Sequence, residues 1–162
     1  MMMRVTQRAQ VIIDLIQQNE YKRIIEVGVC KGETAMPVME ACELDEYVMI
    51  DPALNDSLGV REFWTGHNEA LFIEVTSERA SPSYDNGYFD LAFIDALHDE
   101  ESIERDIHLW TPKVRSWGGI ICGHDYDNKR FPGVKIAVDR FYGEENVETF
   151  PVRACKVWVV RL

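Results

Sequence analysis

The chain has 162 residues, 46% of them hydrophobic, with four Trp, seven Phe and six Tyr. That is enough for one buried core, and it excludes both a disordered chain and a pair of full-sized domains. The formal net charge of −11 opposes extended contact with a phosphate backbone, which rests on Lys and Arg neutralising phosphates, so no nucleic-acid partner is expected.

The N-terminal residues Val5, Ala9, Ile12, Ile13 and Ile16 share one helical face and predict an amphipathic helix that ends near Asn19. The β-rich run "RIIEVGV" predicts a first strand. "ETAMPVMEACEL" follows as a helix in which Pro37 is tolerated because it lies in the opening turns. "YVMIDP" reads as a short buried second strand, "LFIEVTS" as a third after a long polar loop, and "FDLAFIDA" as a fourth. Ile103, Ile107 and Trp110 then form a helical stripe behind the acidic turn "DEES", which suits a helix N-terminus. "GGIICGHDY" is the fifth strand, and "PGVKIAVDRFY" places Val134, Ala137, Val138 and Phe141 at helical spacing. "VETFPV" and "KVWVVRL" are too close in sequence for a helical crossover and predict an antiparallel hairpin.

This alternation predicts a single α/β domain over residues 1–162. Its fold class is Rossmann-like and doubly wound: a mostly parallel seven-stranded sheet with a C-terminal antiparallel hairpin and helices on both faces. Cys30, Cys42, Cys122 and Cys155 are widely spaced with no C-x-x-C pair and read as reduced. The opening "MMMRVTQRAQ" has no apolar stretch of signal-peptide length, and no segment approaches the roughly 20 apolar residues of a membrane span. A soluble, cytoplasmic protein with no membrane partner is therefore expected, and a homo-oligomer is compatible with the pattern.

In open α/β sheets ligands sit beyond the carboxyl ends of the strands. Those ends carry Glu26, Gly28 and Gly32; Asp51; Thr76 and Ser77; Asp95 and His98; and His124 and Asp125. One such carboxylate is readily a helix cap or turn former; a whole acidic rim is harder to dismiss. A dinucleotide fingerprint would need glycines at 28, 30 and 33, where this chain has Gly28, Cys30 and Glu33. A pyrophosphate there would also meet Glu26 and Glu33, so a ligand with a positive centre and a ribose fits better.

"EVGVCKGETA" resembles the first motif, E-x-G-x-x-x-G, of class I S-adenosylmethionine-dependent methyltransferases, in particular the small O-methyltransferases of the catechol type and those acting on natural-product sugars. "IDP" is similar to their second-strand acid, and "FDLAFIDALHDEESIERDIHLWTPKVRSWGGIICGHDY" to their block from strand four to strand five. With "PGVKIAVDRFY" the resemblance spans residues 23–142 in order.

The resemblance implies S-adenosylmethionine as cofactor and a small-molecule methyl acceptor. Gly28 and Gly32 would let the backbone approach the methionine part, Thr34 would bond its carboxylate, and Glu26 and Asp95 would face its ammonium. Asp51 would accept the ribose hydroxyls, and Ser77 would contact the adenine. Thr76 stands where many relatives have an acid that holds the adenine amine.

By the same resemblance Asp95, His124 and Asp125 fall where the catechol-type enzymes hold Mg²⁺. The imidazole of His124 favours a softer ion such as Mn²⁺, Fe²⁺ or Zn²⁺, or else serves as a base or substrate contact. His98 falls where those enzymes place a basic residue beside the acceptor hydroxyl, and an ordinary histidine suits a general base near neutral pH; its bland alternative is a helix cap. Asp125 completes the candidate catalytic group.

Trp110, Trp117 and Trp158 lie on apolar stripes and read as packing. The long loop with Arg61, Trp64 and His67 is a substrate-side candidate, and Arg61, Lys129 and Arg130 hint at an acidic acceptor. Two other readings compete with a methyltransferase. A metal-dependent hydrolase using Asp95, His98, His124 and Asp125 would leave Glu26, Gly32 and Asp51 idle. A non-catalytic S-adenosylmethionine-binding module would keep the cofactor pocket alone.

Overall fold

A computed structural model describes residues 5–162; the first four residues of the expected domain lie outside the described residues. The chain opens with α1 (Gln7–Asn19), whose first turn is capped by the Thr6 hydroxyl accepting from the Ala9 amide at 3.1 Å. There follow β1 (Arg23–Val27), α2 (Ala35–Ala41), β2 (Glu46–Ile50), α3 (Val60–Trp64), β3 (Ala70–Ile73), α4 (Ser77–Ala80) and β4 (Leu91–Ile94). The chain continues through α5 (Glu100–Trp110), β5 (Ile120–Tyr126), α6 (Pro132–Tyr142), β6 (Glu148–Val152) and β7 (Cys155–Arg161).

The strands form one seven-stranded sheet in the order β3-β2-β1-β4-β5-β7-β6. Strands β1 to β5 pair in parallel, whereas β7 runs antiparallel to both β5 and β6. The chain winds outward from β1 through β2 to β3, then returns to place β4 on the other side of β1. The carboxyl ends of β1 and β4 therefore flank the switch point, where connections diverge and leave a crevice.

Alternation along each strand divides the core in two. Ile24, Tyr47, Met49, Phe93 and Cys122 pack on the face with α1 and α2. Ile25, Val48, Ala92, Ile121 and Trp158 pack on the face with α5 and α6.

Several local expectations shift. The second helix is shorter than its pattern, seven residues, with Pro37 in its first turn. The third strand stops at Ile73, so Thr76 and Ser77 belong to the turn that starts α4. Trp110 and Trp158 are fully buried, but Trp117 is 90% exposed. It sits beside Gly118, whose φ is +73°, in the turn that enters β5, where no neighbouring element reaches its ring. All four cysteines are free. Among the described residues no helix is long and apolar enough to cross a membrane.

Candidate active site

The turn after β1 is fixed by backbone contact. Gly28 has φ +90°, and a Cβ there would lie 2.4 Å from the Asp95 carbonyl oxygen and 2.5 Å from the Ala96 Cα. Only glycine lets the β1 and β4 ends close so tightly. Asp51, at the end of β2, clamps this turn: its Oδ2 accepts from the Val29 and Cys30 amides at 3.0 and 2.7 Å, and its Oδ1 from the Ala53 amide at 2.8 Å. Oδ1 thus keeps a lone pair for a ligand hydroxyl, while Oδ2 is already used twice.

A cavity of about 360 Å³ opens here, lined by Gly28, Asp51, Ser77, Asp95 and Asp106 among others, within the size range of small-molecule sites. A gap that a glycine alone leaves, a half-free carboxylate at its middle and acidic groups along its walls fit a cationic cofactor carrying a ribose.

Glu26 and Thr34, by contrast, do not line this cavity. Glu26 points to the α1 face, where it accepts from the Tyr47 hydroxyl at 2.6 Å. Burial pushes its carboxyl up to about 8, against the Tyr47 hydrogen bond. Thr34 precedes α2 and is buried, with no partner for its Oγ1. Gly32 has φ +72° and faces Val60 of α3, so it shapes the turn from behind.

Beside the cavity lies a charged cluster that brings together Asp95, His98, His124 and Asp125. A β-bulge in β5 between Gly123 and Tyr126, with Asp125 at φ +59°, turns consecutive side chains to the same rim. His98 Nε2 lies 2.9 Å from Asp125 Oδ2 and 3.5 Å from Asp95 Oδ1, and its ring stacks on Phe131 at 4.4 Å. His124 Nδ1 lies 3.1 Å from Asp125 Oδ2 and 3.8 Å from Asp95 Oδ1, while its Nε2 faces Cys155 Sγ at 3.2 Å.

Arg8 of α1 donates to Asp95 Oδ2 at 2.7 Å, and Asn128 donates to Asp125 Oδ1 at 2.5 Å. Hydrogen bonds to Asp125 and then Asp95 push His98 up to about 9 despite its burial. Burial alone would raise Asp125, but hydrogen bonds from His124, His98 and Asn128 outweigh it and hold the carboxyl well below its ordinary range.

A second cavity, of about 590 Å³, abuts this cluster and is lined by Arg8, His124, Asp125, Asn128, Arg153 and Cys155 among others. His98 is absent from its walls, as are Arg61, Lys129 and Arg130. Arg61 instead pairs with Glu74 at 3.3 Å, Trp64 stacks on Phe72 at 4.8 Å, and His67 bonds Glu69 at 2.8 Å. Of the long loop, Pro52 and Ala53 alone reach the first cavity.

The expected metal donors are assembled, yet they do not form an open cage. Both oxygens of Asp95 face Arg8 and the imidazoles, and both oxygens of Asp125 face the imidazoles and Asn128. Donors within 4.8 Å of one another fall into two overlapping groups, Asp95, His98 and Asp125, and His124, Asp125 and Cys155. Arg8 and the imidazoles already occupy these carboxylate oxygens, so a divalent cation held here would have to displace Arg8 from Asp95 and the imidazoles from Asp125.

Sequence reading missed Arg8, Asp106, Asn128 and Cys155. Arg8 and Asp106 lie on the polar flanks of amphipathic helices, which give no sign of the strand end they will face. Cys155 reaches the cluster only because β7 pairs with β5.

A family model described as "Methyltransferase domain" matches residues 25–126. No curated protein matches the chain. Among solved structures, the cofactor-bound Rv0187 from MTB superposes with TM-score 0.76 at 16% identity, covering 99% of this chain and 81% of that one. The O-methyltransferase from Bacillus cereus in complex with SAH gives TM-score 0.71 at 14% identity, covering 96% and 80%. CalS11, a TDP-rhamnose 3'-O-methyltransferase of calicheamicin biosynthesis, gives 0.69 at 16% identity, covering 97% and 81%. At these identities the likeness is one of fold.

Proposed function

We propose, from the premise that the chain belongs to the methyltransferase-domain family and is an S-adenosylmethionine-dependent methyltransferase, that it methylates an oxygen of a small molecule and acts as one cytoplasmic domain over residues 1–162. The observation that carries this reading is the pair of cavities abutting on one charged cluster: the first beyond β1, β2 and β4, the second between α1, the β5 bulge and the β6–β7 turn. Oxygen as the acceptor atom is supported by the activities named for the Bacillus cereus and calicheamicin proteins. No observation favours the hydrolase reading.

When bound, S-adenosylmethionine supplies an electrophilic methyl group on a sulfonium. This chain's own contribution is placement. The Gly28 turn lets the ligand approach the backbone, Asp51 Oδ1 offers an acceptor to the ribose, and Asp95 sets a carboxylate on the wall of the first cavity. Holding two reactants in line supplies most of what such a displacement needs.

Removal of the acceptor proton falls to His124 in this reading, because His124 lines the second cavity and Asp125 orients its Nδ1. His98, raised to about 9, holds its proton at neutral pH and serves instead as the cation between two carboxylates. The basic groups facing an acceptor are Arg8 and Arg153.

Calorimetry with S-adenosylhomocysteine tests the cofactor half. The parent should bind it, and Asp51→Ala should weaken binding by about 1–3 kcal/mol; no binding by the parent overturns the proposal. Turnover on a panel of hydroxylated acceptors tests the other half. His124→Ala should lose about 10²–10⁴-fold in rate with cofactor affinity unchanged. Binding of S-adenosylhomocysteine with no methylation across the panel would favour a non-catalytic module.

A further inference from the structure

None of the described residues that line the second cavity is aromatic. Its walls come from the polar first turn of α1, the turn before α2, the β5 bulge with the residues that follow it, and the tip of the β6–β7 hairpin. Pockets that hold flat rings are lined mainly by apolar and aromatic side chains, on which the rings stack. These walls suit a saturated, hydrogen-bonding guest instead. Phe131, the ring that joins the charged cluster, is already stacked on His98 at 4.4 Å.

The charges on those walls differ in what they leave over. Arg8 is spent on Asp95 at 2.7 Å and lies 3.8 Å from Glu33, and Asp125 is enclosed by two imidazoles and Asn128. Among the described residues no carboxylate pairs with Arg153, which is exposed where it lines the cavity. The turn that carries it is strained. Val152 pairs with Cys155, so Arg153 and Ala154 form a two-residue hairpin loop, and Arg153 has φ +44°, where glycine, asparagine or aspartate is the usual occupant. The Arg153 amide donates to Gln7 Oε1 at 3.0 Å, which ties the hairpin tip to α1. That bond needs the amide oxygen of Gln7, so its Nε2 donors remain for another partner. Gln7 lines the same cavity, and a guanidinium and an amide donor therefore stand side by side on its wall. Two residues beyond Arg153, Cys155 Sγ meets His124 Nε2 at 3.2 Å, so these donors and the base share one hairpin tip.

We infer that the methyl acceptor is a non-aromatic hydroxyl compound carrying a carboxylate or phosphate group, with the anion on Arg153 and Gln7 and the hydroxyl at His124. The inference rests on the methyltransferase reading and on His124 as its base, and it makes Arg153 the residue that determines specificity. A guanidinium presents a planar fork of donors that matches either anion. Glu33 repels an anion from the α2 end of the cavity, which leaves the hairpin end as its seat. A catechol would find no ring face to stack on and would leave the guanidinium unused.

Cys155 is a reporter inside this cavity that needs no known acceptor. Iodoacetate and iodoacetamide alkylate the same thiolate, Sγ displacing iodide, and differ in charge. Burial raises the Cys155 thiol, which slows both reagents and cancels in their ratio. Labelling at mildly alkaline pH is read on the Cys155 peptide by mass spectrometry. The iodoacetate-to-iodoacetamide ratio of the parent should be at least ~fivefold above that of Arg153→Gln, and Arg153→Lys, which keeps the charge, should retain most of the difference. In the parent, inorganic phosphate or acetate should slow iodoacetate more than chloride of equal ionic strength does, and the stronger competitor identifies the anion. On the acceptor panel the best substrate should be anionic, and Arg153→Gln should raise its KM by at least ~tenfold with little change in kcat.

The same labelling ratio in the parent and in Arg153→Gln overturns the inference. So does equal slowing by all three salts, or a neutral aromatic alcohol as the best acceptor. If the parent does not bind S-adenosylhomocysteine, the methyltransferase reading falls and this inference falls with it. If it binds and the ratio ignores Arg153, this inference falls alone.

Discussion

The two halves of the site are built in opposite ways. The half proposed for the cofactor is made from the ends of neighbouring parallel strands, with its geometry set by backbone: Gly28 against Asp95 and Ala96, and Asp51 clamping three amides. The half proposed for the acceptor is made from side chains of α1, the loop after β4, the β5 bulge and β7, and its geometry is set by charge. A half fixed by backbone tolerates almost no substitution at its turn. A half fixed by ion pairs can exchange one partner and keep its shape.

The largest test of this contrast is Gly28→Ala. The added Cβ would meet backbone atoms at 2.4 and 2.5 Å, and backbone cannot rotate out of the way. Destabilisation of about 2–4 kcal/mol and a loss of at least ~100-fold in S-adenosylhomocysteine binding, about 2.7 kcal/mol, are expected from urea melts and calorimetry. Gly32→Ala is the internal control: its Cβ meets the side chain of Val60 at 2.9 Å, which can shift, so its cost should be closer to the ~1–2 kcal/mol of a left-handed residue. Equal effects at both glycines would mean that the turn is not held by the β4 backbone.

The same contrast explains what could be read from sequence. Strand alternation, the order of elements and the glycine turn are local patterns, and the family match over residues 25–126 covers the segment in which they lie. The first cavity's Gly28, Asp51 and Asp95 follow from strand ends alone, because in a parallel sheet those ends gather on one edge, whereas Ser77 comes from the start of α4. Glu26 shares that position in sequence yet turns to the other face toward Tyr47, since side chains alternate along β1. Arg8 lies 87 residues from Asp95, and Cys155 lies 31 from His124. Such pairings depend on how helices pack and which strands pair, and no local pattern encodes them.

Glu26 provides the second test, as a buried carboxyl on the strand that leads into the backbone-built half. Folded, it keeps its proton up to about pH 8; unfolded, it ionises near 4.5. Between those values unfolding releases a proton, so the stability tied to this group is complete below about 4.5 and is lost as pH rises toward 8. At ~1.4 kcal/mol per pH unit the loss is on the order of 5 kcal/mol. Glu26→Gln cannot ionise and should match the parent below pH 5 but exceed it by a few kcal/mol in urea melts near pH 8.5. A difference between the two proteins that does not change with pH would mean that Glu26 is ionised in the folded state.

The smallest expected effect comes from the charge-built half. Arg8 donates to Asp95 Oδ2 and is itself mostly buried, with 21% of its side chain exposed. Removing its charge leaves an uncovered carboxylate oxygen beside Asp125 and two imidazoles, which is donor chemistry suited to Mn²⁺ or Zn²⁺ once nothing competes for it. Arg8→Met keeps the apolar stem that packs along the cluster and deletes the guanidinium. Mn²⁺ affinity, followed by the loss of the free-ion paramagnetic resonance signal, should rise about tenfold over the parent, or ~1.4 kcal/mol, and Asp95→Asn in the same background should reverse the gain. Tight stoichiometric binding of Mn²⁺ by the parent would give the opposite result. Arg8 would then yield Asp95 to the metal, His98 would have to release its proton to join it, and the acceptor half would be a metal centre whose resting form is closed by its own cations.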